Sequence, residues 1–197
     1  MEYGLDTFYS SAAIEDIYKK NHQKLAYWYF QFSNESTQRI SNCLRSLLRQ
    51  LSTTRLADCV IRLWEDHNRT GSEPGIEELA SVLDEVIYSH KERVFIVIDA
   101  LDECPQTPDQ PERGKLLGLV LDLRRKHNDI LHILITSRPE HDIHSSISPY
   151  PSINLETFVS SDVKHFVTNS LQSGKLNVWD ANMRQQIEDR LLSIETK

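Results

Sequence analysis

Two short apolar runs, Val94 to Ile98 and Ile130 to Ile135, stand out in a chain otherwise written mostly in helical spacing. The first is uninterrupted and mostly β-branched and the second is broken only by His132; runs of this length predict strands buried on both faces, as in a parallel sheet. Leu25-Ala-Tyr-Trp-Tyr-Phe-Gln-Phe32 predicts a third, aromatic strand, and Ser152 to Leu155 a short fourth. Between them, apolar residues recur at three- and four-residue intervals. Ile14, Ile17 and Tyr18 mark a helix from Ser10 to Lys20, and Ile40, Leu44, Leu47, Leu48 and Leu51 one from Thr37 to Leu51. Leu56, Val60, Leu63 and Trp64 mark the next, within Thr53 to Asn68, before a loop at 69–75. Leu79, Val82, Leu83, Val86 and Ile87 give a helix over Ile76 to His90, and Leu116, Leu117, Leu119, Val120 and Leu123 one over Glu112 to Lys126. Val163, Phe166 and Val167 place another, capped by Ser160 or Ser161 and reaching Leu171, and a last helix runs from Asp180 to about Ile194. Strands alternating with helices predict an α/β layered fold with parallel pairing, and right-handed crossovers put the strand ends on one edge.

The net charge of −7 narrows the partners. An acidic field repels nucleic acid and anionic membranes, and no basic cluster interleaved with aromatics offsets it. No apolar run approaches transmembrane length and no secretory pattern is present. Cys43, Cys59 and Cys104 are odd in number and lack metal-ligand spacing, which predicts core thiols in a reduced, cytoplasmic compartment.

The candidate chemistry lies where the central strand ends. Asp99, Asp102 and Glu103 follow Ile98 directly, at the strand edge where open α/β sheets bind ligands. Asp99 is placed to hold a metal, Asp102 or Glu103 to orient an attacking water, and Arg138, just past the second apolar strand, to reach a terminal phosphate. The same acids would suit a metal-dependent nuclease, but the acidic field and the missing basic groove disfavour that. His141 and His144 have a spacing that can bind metal on a helix; in a polar loop they are solvated side chains.

These residues carry a resemblance. Phe95-Ile-Val-Ile-Asp-Ala-Leu-Asp-Glu103 resembles the NACHT form of the Walker B motif, with a small residue after the metal-binding acid and further acids three and four positions on. Ile133-Leu-Ile-Thr-Ser-Arg-Pro139 resembles that family's sensor segment. Leu25 to Phe32 is similar to the second strand of fungal NACHT proteins and of nephrocystin-like N-terminal domains, and Ser161-Asp-Val-Lys-His-Phe fits the helix that follows later. The resemblance spans roughly residues 8 to 195. It implies a single NACHT-type domain over 1–197, of the STAND class of signalling P-loop ATPases, with a three-layer parallel sheet. It implies ATP and Mg²⁺ as ligands, Asp99 as the metal residue, Asp102 and Glu103 as catalytic residues, and Arg138 on the nucleotide. Partners would be like or unlike NACHT proteins in an oligomer, as in the NLR-like receptors of fungi.

The chain departs from that pattern at the phosphate loop. No Gly-x4-Gly-Lys-Ser/Thr occurs in it; Gly114-Lys115 and Gly174-Lys175 are each followed by leucine. Alignment on the helix at Ser10 puts Asp6 where the lysine belongs and Thr7 where the Mg²⁺-binding hydroxyl belongs. At an effective dielectric of ~20, unit charges ~4 Å apart interact by roughly 4 kcal/mol, so exchanging lysine for aspartate turns attraction into repulsion of that order. Nothing upstream of Gly4 can form the family's first, central strand. The expectation is therefore an incomplete, truncated P-loop NTPase-like sheet with weak or lost ATP binding and hydrolysis. The alternative is a nucleotide-independent interaction module or degenerate receptor fragment.

Overall fold

The computed structural model describes residues 5–21, 24–52, 57–154 and 181–192. They form an α/β fold with one three-stranded parallel sheet and eight α-helices. The strands are β1 (Lys24–Tyr29), β2 (Val94–Asp99) and β3 (Leu131–Ile135), in the order β1-β2-β3. Tyr27 pairs with Val97 across the first seam, and Ile96 with Ile133 across the second. The helices are α1 (Leu5–Asn21), α2 (Glu35–Gln38), α3 (Ile40–Leu51), α4 (Asp58–Thr70), α5 (Ile76–Ser89), α6 (Glu112–Lys126), α7 (His141–Ile147) and α8 (Ala181–Leu192). The chain divides into two compact units, Met1–Ile147 and Ser148–Lys197; the sheet lies wholly in the first, and α8 in the second.

β2 is the centre because its residues have no polar face. Val94, Ile96, Val97 and Ile98 are all buried although successive side chains point to opposite sides, so both faces of the strand are covered. The helical stripes meet there: Leu44, Leu47, Leu83, Ile87 and Leu116 join Ile96 and Ile98 in one core cluster. β3, read from its sequence as equally buried, is only half-covered. Leu131 is buried but Leu134 is exposed, because β3 is the last strand of the sheet among the described residues.

The aromatic strand is shorter than its sequence implies. Pairing stops at Tyr29, and Phe32 turns out to solvent at 76% exposure. Trp28 explains the next departure, a break in the helix expected over Thr37 to Leu51. Its indole N–H donates to the Thr37 carbonyl at 3.0 Å, which holds α2 as a separate short turn. Arg39 is extended, and α3 starts afresh at Ile40, whose N–H is met by Glu112 Oε2 of α6 at 3.2 Å. A side chain from another element thus replaces a local cap.

α4 begins at Asp58, later than the pattern suggested, and Trp64 is 64% exposed rather than inward; only Cys59 of that helix is fully buried. Gly71, at φ 66°, ends it in the left-handed conformation that favours glycine. Tyr18, also expected inward, is exposed on α1. Residues 141–147 form a helix instead of a polar loop. Ser152 to Asn154 are irregular where a strand was expected, and Leu155 and the helix expected from Ser160 to Leu171 lie outside the described residues. Among the described residues no helix is long and apolar enough to cross a membrane.

The outer edge of β1 is plugged. Gln50 of α3 accepts from the Tyr27 N–H at 3.1 Å and donates to the Tyr27 carbonyl at 2.8 Å, so its amide takes the place of a neighbouring strand. Replacing Gln50 by Ala is expected to lower unfolding stability by about 1–2 kcal/mol, from two lost hydrogen bonds, and to raise concentration-dependent light scattering on heating.

α5 and α6 are tied by Asp84, which accepts from Lys126 and His127. Burial pushes the Asp84 carboxyl up, but the two hydrogen bonds and the charges of Lys126 and His127 outweigh it, and the net shift is downward. A carboxyl depressed on folding adds stability above its unfolded pKa, ~3.9, and loses it as pH falls through the folded value. The stability difference between the protein and Asp84→Asn, about 1 kcal/mol at pH 7 for so partly exposed a pair, should therefore shrink steadily as urea melts are moved below pH 4.

Candidate functional site

The C-terminal ends of β2 and β3 are laced together by one residue. Thr136, just past β3, donates its N–H to the Ile98 carbonyl at 2.9 Å and accepts the Leu101 N–H on its own carbonyl at 2.9 Å. Its hydroxyl donates to Asp99 Oδ1 at 2.7 Å and accepts the Ala100 N–H at 3.0 Å. Asp99 is only 2% exposed, so this hydroxyl partly offsets the cost of burying its carboxylate. Ala100 adopts left-handed backbone, φ 54° and ψ 50°, which an alanine Cβ disfavours by roughly 1–2 kcal/mol. That reversal starts a 3-10 turn over Leu101–Glu103 and turns Asp102 and Glu103 back over the strand ends.

Asp102 and Arg138 meet. Asp102 Oδ1 accepts the Arg138 N–H at 3.1 Å, and the Arg138 Nε lies 3.7 Å from Oδ2. The Arg138 side chain is 56% exposed, so the guanidinium pair itself adds little. Glu103 reaches across to the segment that follows β1, where its Oε2 accepts the Phe32 N–H. Phe32, Asp102, Glu103, Arg138 and Glu140 line a small polar cleft of about 260 Å³. Asp99, Asp102, Glu103 and Arg138 therefore share one edge of the sheet. Thr7 falls in the first turn of α1.

Arg113 completes the support and was not singled out from sequence. It is 9% exposed, on the apolar stripe of α6, and its Nη1 donates to the Asp102 carbonyl at 3.0 Å. Its Nε lies 3.0 Å from Asp142 Oδ2 on α7, within ion-pair distance but without hydrogen-bond alignment. The sequence signal was available: position 113 continues the spacing of Leu116, Leu117 and Val120, and a charge on a buried stripe needs a partner. Cys104 lies beside this network; burial, then the nearby Glu112, push its thiol up to about 12, against Arg113. Cys43 is likewise pushed up by burial, so both are inert as nucleophiles at neutral pH.

A larger groove of about 750 Å³ shares no lining residue with the cleft; Leu48, Val60, Leu63, Trp64 and Leu79 form its apolar wall. Its lining offers no carboxylate.

A family model described as Nephrocystin 3, N-terminal, matches residues 7–138, about two thirds of the chain. The chain belongs to the nephrocystin 3 N-terminal family. A comparison with curated proteins and one with solved structures find no match. The matched stretch of this nephrocystin 3 N-terminal family member spans all three strands and ends on Arg138, so it contains Thr7, Asp99, Asp102 and Glu103, while Glu140 of the cleft lies just beyond it.

ATP with Mg²⁺ can be tested against these residues. One buried carboxylate suits Mg²⁺, which takes one or two such ligands and leaves the rest to water and phosphate. No group of three or more metal-ligating side chains gathers among the described residues. The phosphate end does not fit. Residues 5–21 are continuous helix where the alignment puts a phosphate loop, and the motif's lysine and glycines are absent from the sequence. The described residues support no transfer step.

Thr136→Val is expected to cost about 1–3 kcal/mol in urea unfolding at pH 7, because it leaves the Ala100 N–H without its acceptor and takes one hydrogen bond from the buried Asp99 carboxylate. A loss below about 0.5 kcal/mol would mean that water replaces the hydroxyl.

Proposed function

We propose that this chain has the frame of a NACHT-type signal-transduction NTPase, related to NLR-like receptors of fungi, in which ATP binding and hydrolysis are weak or lost. In that frame Asp99 takes the metal position, Asp102 or Glu103 the position of the water-orienting acid, and Arg138 that of the phosphate sensor. The observation that carries the reading is the occupation of those acids. Asp102 holds the Arg138 backbone, and Glu103 holds the Phe32 backbone just after β1. Carboxylates committed to backbone N–H groups act as structural latches between strand ends, and each must let go before it can serve a nucleotide.

The same occupation favours a second reading, a nucleotide-independent interaction module that pairs with like or unlike NACHT proteins. In either case the three cysteines, all free and buried, suit the reduced interior of the cell, and we place the protein in the cytoplasm.

Titrating labelled ATP with Mg²⁺ against the purified chain separates these from a working switch. The expected result is no saturation up to roughly 1 mM, a binding free energy weaker than about −4 kcal/mol. Micromolar affinity, abolished by Asp99→Asn, would establish an intact nucleotide site and overturn the proposal.

A further inference from the structure

The turn between α4 and α5 gathers three residues that the sheet-edge site does not use. Gly71 reverses the chain in left-handed backbone, and the Ser72 N–H returns to the His67 carbonyl at 3.2 Å. That turn sets the Ser72 hydroxyl 2.7 Å from His67 Nδ1. On the far side of the ring, His67 Nε2 lies 3.3 Å from Glu78 Oε1, in the first turn of α5. Glu78 is itself fixed, because its Oε2 accepts the Gly75 N–H at 2.8 Å. The Gly75 N–H first, against burial, and then His67 hold its carboxyl below the usual carboxylate range. An ionised acid at Nε2 favours the tautomer that keeps its proton there, and Nδ1 then offers its lone pair to the serine. Thr70 Oγ1 lies 2.7 Å from Ser72 Oγ; a proton given by Thr70 leaves the serine's own for His67.

The surroundings of these residues add a second, independent observation. Ser72 and His67 both line the groove of about 750 Å³ whose apolar wall includes Leu48, Leu63 and Trp64. That volume lies in the range of small-molecule sites, roughly 300–1,000 Å³. The hydroxyl is exposed and the ring half-buried, so a molecule in the groove can reach the first while the second stays sheltered. Glu78 is not part of the lining and bonds only the ring's far nitrogen, so an apolar chain in the groove meets no acid. Asn68 lines the same groove, and its side-chain amide has no hydrogen-bond partner among the described residues. The N–H of Glu73, next after Ser72, is likewise open among them. Both are donors of the kind that stabilise an oxyanion.

We propose that Ser72, His67 and Glu78 form a hydrolytic triad for carboxylic esters, with the apolar acyl chain of the substrate lying in the groove between α3 and α4. A nucleophile bonded to a base, and the base to an orienting acid, is recognised by geometry and not by spacing in sequence. Ser72 Oγ bonds to the acyl carbon while its proton passes to His67 Nδ1. The oxyanion so formed collapses, the ester C–O bond breaks, and the leaving alcohol takes that proton. Water then attacks the acyl-serine through the same relay, which releases the carboxylic acid and restores Ser72. The sum is ester plus water to acid plus alcohol. Ser72 and His67 are the catalytic residues and Glu78 a positioning residue. None of the three belongs to the sheet edge, so the triad stands or fails independently of the NTPase frame.

The test is hydrolysis of para-nitrophenyl acetate and para-nitrophenyl octanoate by the purified chain, with a fluorophosphonate probe whose attachment is located by peptide mass. The expected result is turnover of the octanoate ester, with kcat/KM about tenfold or more above the acetate ester, and a label on Ser72. Ser72 is exposed in a loop, so Ser72→Ala keeps the fold by circular dichroism; it should remove the label and lower turnover by about a hundredfold or more. Glu78→Gln keeps a side chain that can hydrogen-bond, and should lower kcat about tenfold with KM unchanged. Three results would each overturn the proposal: no turnover above buffer, turnover that survives Ser72→Ala, or a label that attaches elsewhere than at Ser72.

Discussion

The four hydrogen bonds of Thr136 are the constraint on which the site depends. β2 is driven inward by its apolar residues, each worth about 2 kcal/mol on burial, and that drive carries Asp99 into a position 2% exposed. A carboxylate there is tolerable only if something at the strand end meets it. Thr136 does so with its hydroxyl while its backbone closes the ladder to Ile98 and Leu101. Because the same hydroxyl also receives the Ala100 N–H, the left-handed turn is held by the group that solvates the acid. The positions of Asp102 and Glu103 follow from that turn.

From there the network spreads outward through backbone rather than through charge. Asp102 takes the Arg138 N–H, Glu103 takes the Phe32 N–H, and Arg113 takes the Asp102 carbonyl. Each bond ties the turn after β2 to another part of the fold: the segment after β3, the segment after β1, and α6. The acids that a nucleotide switch would spend on metal and water are spent here on holding strand ends together. Holding strand ends is a structural role for acids at a sheet edge that needs no nucleotide, and one that sequence alone does not reveal.

Much of the fold was legible because its signals were strong. β2 and the stripes of α3, α5 and α6 fall where the periodicity puts them, since a buried apolar face leaves little freedom in register. The misreadings share a cause. Trp28 interrupts the helix before Ile40 through a side-chain bond to Thr37, and Trp64 stays outside although its spacing matches Val60 and Leu63. Periodicity records which face is apolar, not whether a neighbour exists to cover it. At the site, the grouping of Asp99, Asp102, Glu103 and Arg138 followed from strand ends sharing an edge. The backbone partners of the acids did not, because N–H groups have no sequence signature. Arg113 alone among the missed residues had one, a charge on a buried stripe.

The contrast between the sheet's two edges carries the same reasoning one step further. An amide side chain can imitate a strand only where an adjacent helix is in reach, and α3 presents Gln50 to β1 in that way. β3 has α6 before it and α7 after it, and neither supplies an equivalent plug among the described residues. A half-covered apolar strand with open backbone groups costs free energy as long as it stays unpaired. The two edges of the sheet thus differ: the β1 edge is closed by a side chain of α3, and among the described residues the β3 edge is not.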